Sequence, residues 1–175
     1  MRKLIASTFV SIDGVTDNPQ TWASRYFNPA AQAASLADIQ QSGGMLMGRR
    51  TYEYLAAGLA RQAGAYPDAL NRIRKYVFSA TLAQTDWNNS TIIHGDPVAE
   101  VGALKQRPGG DLVMYGHGRL SRTLLAAGLI DEVRFAIHPL LLGGAAAWGP
   151  AQEMELLSAT PLTTGVIAAA YRPDR

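Results

Sequence analysis

Three short segments of this 175-residue chain carry residues that could hold an anion or steer a proton. Gly48-Arg49-Arg50-Thr51 follows a short apolar run and opens a helical pattern. The first N–H groups of a helix lack intrahelical partners, and the helix dipole favours negative charge there. Two guanidiniums and a hydroxyl beside them suit a phosphate, since Arg presents a rigid fork of donors. A solvated Arg pair on a first turn would use the same residues. Gly116-His117-Gly118-Arg119 is the second segment, where glycines let a ligand approach the backbone closely. Ser121 stands where a GxGxxG fingerprint would place its last glycine, so a plain tight turn explains the pair equally well. In the third, Ser11-Ile12-Asp13-Gly14, Asp13 could orient a substrate or relay a proton through water. Asp-Gly is also an ordinary turn pair.

Other chemistries find no residues. Cys is absent, which removes disulfides, thiolate catalysis and Cys-based metal sites. His94, His117 and His138 stand 23 and 21 residues apart, so no pair shares a helix face and no metal site is expected. They read as strand-end or surface histidines, and Trp22, Trp87 and Trp148 read as packing residues. No G-x-S-x-G elbow or Walker A loop occurs. The net charge is +2, and 13 of the 16 basic residues are Arg. They are scattered, without the basic stripe that a nucleic-acid partner requires. The 28 alanines make a composition bias an equally good source of that Arg excess.

The elements that must position these segments alternate. Lys3 to Val10 reads as a strand closed by Ser11 to Gly14. Asn28-Pro29 supplies an N-cap and first helical residue, and the helix stops at Gly43-Gly44. Met45 to Met47 is a short strand followed by a helix over Thr51 to Ala60. Tyr76 to Phe78 and Thr91 to Ile93 are further strands. Asp96-Pro97 repeats the capping signal before a helix that Pro108-Gly109-Gly110 ends. Leu112 to Tyr115 is a strand leading to a helix over Ser121 to Ala127, and Glu132 to His138 and Leu162 to Tyr171 are the last strands. This order predicts one α/β domain spanning residues 1–175, a mixed, mostly parallel sheet flanked by helices. The run Phe135 to Leu142 is broken by His138 and Pro139 and is too short to span a membrane. The start, Met1-Arg2-Lys3 and then Leu4 to Val10, lacks a cleavage site and is read as a strand, so a cytoplasmic protein is expected.

In order, Ser11 to Gly14, Met47 to Glu53, Val77-Phe78-Ser79 and Met114 to Gly118 resemble the dihydrofolate reductase fold. Leu129 to Val133 and His138 to Gly144 are more specifically similar to the reductase domain of the riboflavin-biosynthesis deaminase-reductase. The resemblance runs over about residues 2 to 172 and implies a three-layer fold and an NADPH-dependent reductase of a small heterocyclic or ribityl-type substrate. It implies that Gly48, Arg49, Arg50 and Thr51 hold cofactor phosphates, and that Ser79 lies near the adenosine 2′-phosphate. Gly116, His117 and Gly118, with Arg119 behind them, would approach the pyrophosphate. NADPH is favoured over NADH because Arg is at hand and no acidic residue follows a GxGxxG. The alternatives are the pyrimidine reductase step of riboflavin synthesis and a nucleotide-binding dimer without catalysis. A homodimer is implied, with Ala145-Ala146-Ala147-Trp148 as interface or core. Two departures stand out: Asn28 to Ala37 holds no acid, with Asp38 near the helix end, and Tyr115 replaces the glutamate usual before the glycine pair.

Overall fold

The computed structural model describes residues 1–144 and 148–174. The strands are β1 (Leu4–Ser11), β2 (Gly44–Gly48), β3 (Lys75–Phe78), β4 (Ser90–Ile93), β5 (Leu112–Tyr115), β6 (Glu132–His138), β7 (Met154–Pro161) and β8 (Ile167–Pro173). The helices are α1 (Pro29–Gln41), α2 (Arg49–Leu59), α3 (Ala65–Arg72), α4 (Pro97–Gln106) and α5 (Arg119–Ala126). One sheet takes the order β4-β3-β2-β5-β1-β6-β8-β7. β1 to β6 run parallel, and β8 runs against both of its neighbours. The carboxyl ends of six strands therefore share one edge, where ligands of open α/β sheets bind.

Local chemistry explains the helix starts. The Asn28 side chain accepts from the Ala31 N–H at 2.9 Å with Pro29 in the first turn, and Asp96 accepts from Ala99 at 2.9 Å ahead of Pro97. Beyond α1, a Cβ on Gly43 would lie 2.6 Å from the Gly110 carbonyl oxygen, so this crossing of two backbones admits only glycine.

The strand alternation sorts the apolar side chains into two cores. Leu4, Leu46, Leu112 and Met114 meet Val101 and Leu104 of α4 and Leu124 of α5 on one face. Met45, Met47 and Val77 meet Ile39 of α1, Tyr52 of α2 and Tyr66 and Leu70 of α3 on the other. A fully buried Leu or Met contributes roughly 1.5–3 kcal/mol, and burying both faces makes the three-layer α/β arrangement the stable solution.

Several elements differ from the sequence expectation. α2 and α5 begin two residues earlier than Thr51 and Ser121, so Arg49, Arg50 and Arg119 are helical residues. The strand expected over Leu162 to Tyr171 starts only at Ile167. Leu162 instead donates its N–H to the Val166 carbonyl at 2.7 Å, in a turn whose Gly165 has φ +82°. β7 and α3 were not anticipated. Trp87 packs in a core, as expected, whereas Trp22 and Trp148 lie against the rings of His138 and His117. Ala145 to Ala147 of the expected interface run lie outside the described residues. Among the described residues no helix is long and apolar enough to cross a membrane.

Candidate functional site

Sheet order brings the candidate anion-binding segments together. β3, β2 and β5 are neighbours, so Ser79, Gly48 and Gly116 leave the same edge side by side. Gly116 adopts φ +88°, and a Cβ there would stand 2.7 Å from the Thr51 hydroxyl oxygen, so the start of α2 touches the turn after β5. Its N–H donates to the Ser7 carbonyl at 3.1 Å. Arg49 donates to the Thr81 hydroxyl at 2.9 Å and pairs with Glu53 at 3.4 Å, linking α2 to the loop after β3. That loop is folded around the Ser79 hydroxyl, which accepts the N–H groups of Thr81 at 3.2 Å and Leu82 at 2.9 Å. Among the described residues its own proton meets no acceptor. The His94 ring lies 2.8 Å from the Ser79 carbonyl, an involvement that its place at the end of β4 could have signalled.

Gly48 caps α2 without a side-chain partner, and Gly118 caps α5 in extended conformation. At both positions an added Cβ would meet nothing within 4 Å. No protein contact requires glycine there. The open ground before two helix starts, flanked by the exposed Arg50 and Arg119, fits a dinucleotide's phosphates. The Gly118 N–H goes to the Ser121 hydroxyl at 2.9 Å, and that hydroxyl lies 3.2 Å from the His117 ring. Trp148 covers the His117 ring with 3.9 Å between centroids. Among the described residues no group of three His, Asp or Glu converges on a metal position.

Asp13 sits on the same edge and is occupied. It accepts from the Ser11 hydroxyl at 2.6 Å and from the backbone N–H groups of Leu142 at 3.0 Å and Gly143 at 2.7 Å. The Ser11 hydroxyl and these N–H groups hold it far below the usual carboxylate range. A carboxylate so bonded stays charged at neutral pH and fastens the loop after β6 to the end of β1.

A cleft of about 290 Å³ opens between α1 and strands β1, β6 and β8. Its width comes from alanine. Ala31 and Ala34 on α1 face Ala168 and Ala170 on β8, and small side chains on both walls leave room between them. Ser35 and Asp38 extend the α1 face at helical spacing. Asp38 accepts from Arg134 at 2.8 Å, and Arg134 also donates to Glu132 at 2.6 Å. Burial alone would lower the Arg134 pKa, but the Glu132 hydrogen bond and the Asp38 charge outweigh it and hold it above the ordinary value. At the other end Phe9, Trp22 and Tyr26 present rings 5.1 to 5.2 Å from that of His138, whose burial lowers its pKa. Ser7 lines the cleft and receives the Gly116 N–H, so cleft and glycine turn share a wall. Tyr115 hydrogen-bonds Tyr66 behind that wall; burial pushes Tyr66 up to about 12 and Tyr115 well above 10.

This geometry has relatives. Residues 2–168 match the RibD C-terminal domain family. The chain belongs to that family. A Bacillus subtilis protein named YyaP, described as uncharacterized, is 43% identical over 70 residues, 40% of this chain and 37% of its own length. The chain therefore spans little more than a third of that curated relative in the match. Among solved structures, a putative riboflavin biosynthesis protein from Shewanella superposes with TM-score 0.77 at 18% identity, covering 99% of both chains. A pyrimidine reductase-like protein from Corynebacterium diphtheriae gives 0.74 at 13% identity, over 99% of this chain and 92% of that one. Dihydrofolate reductase from Enterococcus faecalis, complexed with NADP(H), gives 0.68 at 14% identity, over 99% and 97%. At these identities the structures establish the dihydrofolate reductase fold of this RibD C-terminal domain.

Proposed function

We propose that this RibD C-terminal domain is an NADPH-dependent reductase of a small heterocyclic substrate. Family membership and fold support an oxidoreductase of the riboflavin-biosynthesis and dihydrofolate reductase type. One observation carries the cofactor reading. Two glycine-capped helix starts with open ground before them lie on one edge of the sheet, and the turn before the second bonds Ser7 of the cleft wall. Gly48 to Thr51 hold the phosphates through the backbone N–H groups of the first turn of α2 and the guanidiniums, while Gly116 and Gly118, whose own N–H groups serve Ser7 and Ser121, let the phosphates approach the turn before Arg119. Ser79 keeps a hydroxyl proton for the 2′-phosphate region. NADPH, when bound, supplies a hydride; the protein orients it and excludes water. Asp13 orients the loop at the cleft end and moves no proton.

Changing Arg49 and Arg50 together to Ala tests this. Arg50 is exposed, whereas Arg49 already serves Thr81 and Glu53. Charge-assisted hydrogen bonds contribute roughly 1.5–3 kcal/mol each, so NADPH should bind at least tenfold more weakly. The loss should be smaller for NADH and at high salt. Calorimetry giving an unchanged NADPH affinity for the folded double variant overturns the assignment. The assembly we propose is a homodimer, supported by the exposed apolar edge at β7.

A further inference from the structure

We infer that the cleft takes a small, non-phosphorylated heterocycle bearing N–H donors, and that Asp38, Glu132 and Arg134 impose this choice. The inference rests on the cleft's being the substrate site, as proposed above, and narrows its substrate class. Charge comes first. Asp38 and Glu132 bring two negative charges and Arg134 brings one positive. Arg134 donates Nη1 to Asp38 and Nε to Glu132, so its one positive charge is already shared between two carboxylates. His138, buried among rings with its pKa lowered, adds no charge at neutral pH. Asp38 also stands in the last turn of α1, where the helix dipole is negative. At the rim, Arg25 lies over the Tyr26 ring at 4.8 Å and donates to its hydroxyl at 2.9 Å, so this cation is engaged as well. The remaining aliphatic polar lining among the described residues is hydroxyl: Ser7, Ser35, Ser158 and Thr160.

A phosphate carries about two negative charges. Entering here, it would meet a surplus carboxylate in a site of reduced dielectric and, among the described lining residues, no cation whose charge is unpaired. A ring with amino or ring N–H groups meets what it needs. Asp38, with 38% of its side chain exposed, and Glu132, with 15%, are acceptors, and Phe27 and Tyr26 offer aromatic surface. Size agrees. About 290 Å³ is at the bottom of the roughly 300–1,000 Å³ of ligand pockets, which suits one ring system rather than a ring with a phosphorylated sugar chain.

The test uses cytosine, cytidine and cytidine 5′-monophosphate, titrated calorimetrically with and without saturating NADP⁺. Cytosine and cytidine should bind, and the monophosphate should bind at least tenfold more weakly than cytidine. Asp38→Asn should weaken cytosine about tenfold and erase the discrimination against the monophosphate. Ser35→Arg, one turn from Asp38, should reverse it. Far-UV circular dichroism checks that both variants fold. Monophosphate binding as tight as cytidine, or no binding by any member of the series, overturns the inference. Failure of NADP⁺ to bind would sink the cofactor reading alone, because the series is also measured without it.

Discussion

Gly116 is fixed by two independent demands. Its φ of +88° costs an L-residue roughly 1–2 kcal/mol, and a Cβ would stand 2.7 Å from the Thr51 hydroxyl oxygen. Gly116→Ala should therefore destabilise the protein by about 2 kcal/mol and weaken NADPH binding by displacing the start of α2. Adding Thr51→Ala should recover part of the stability and leave the φ cost. Chemical denaturation of the single and double variants checks this; equal stabilities would mean that the contact carries no strain. The glycines and arginines of the proposed phosphate site were legible as candidates because such sites draw on local backbone and adjacent side chains. Asp38, Arg134 and His138 were not. Their cleft is assembled from α1 and β6, 96 residues apart at the Asp38–Arg134 bond, and no local spacing announces it. Asp13 was legible as a turn-end carboxylate, but its partners, Leu142 and Gly143, lie across the loop after β6.

The two helices with side-chain capping signals were read with their starts; α2 and α5, which glycines cap, were read two residues late, and α3 and β7 were missed. α1 and α4 carry Asn-Pro and Asp-Pro starts whose side chains do accept the expected N–H groups. α3 has none: Gly64 caps it without a side chain, and Pro67 in its first turn reads as a breaker. Its buried Tyr66, Ala69 and Leu70 pack only because α1 and β3 are beside it. β7 was silent because a sheet-edge strand has few buried faces to pattern; only Met154 is even partly covered, and a bulge falls between Leu156 and Ser158. That edge is also a liability. Leu156 is 55% exposed and Leu157 38%, beside a row of unpaired backbone groups. In the proposed homodimer a second copy covers it. Sedimentation should give twice the 18.8 kDa chain mass, and Leu156→Lys with Leu157→Lys should return one chain mass. A wild-type mass of 18.8 kDa at micromolar concentration ends the dimer proposal.

The two edges of the sheet divide the labour of the whole molecule. The candidate phosphate-holding segments gather at the carboxyl ends of the strands, and buried charges gather at the amino ends, where the cleft's Glu132 and Arg134 also begin β6. Lys105 bonds Asp131 and the Leu129 carbonyl, and Asp131 in turn receives the Leu4 N–H at 2.8 Å. Lys75, fully buried at the start of β3, donates to the carbonyls of Ile73 at 2.9 Å and Asn88 at 2.7 Å and lies over the Trp87 ring at 4.6 Å. Despite these partners, burial lowers its pKa from 10.5 to about 8. Below pH 8 both folded and unfolded chains hold the proton, and the full cost of burying the charge is present. Between pH 8 and 10.5 the unfolded chain binds more protons than the folded one, so stability rises with pH. At about 1.4 kcal/mol per pH unit the gain is on the order of 3 kcal/mol. Tyr66, held near 12, and Tyr115, held above 10, act with the opposite sign. Above pH 10 the unfolded tyrosines ionise first, and stability falls. Lys75→Met removes the first effect and keeps the second. Its absolute stability mixes a relieved charge with two carbonyls left unpaired, so the slope is the diagnostic quantity. Urea denaturation from pH 7.5 to 10 should show wild-type stability climbing relative to Lys75→Met. Parallel curves would mean that Lys75 keeps an ordinary pKa in its buried site.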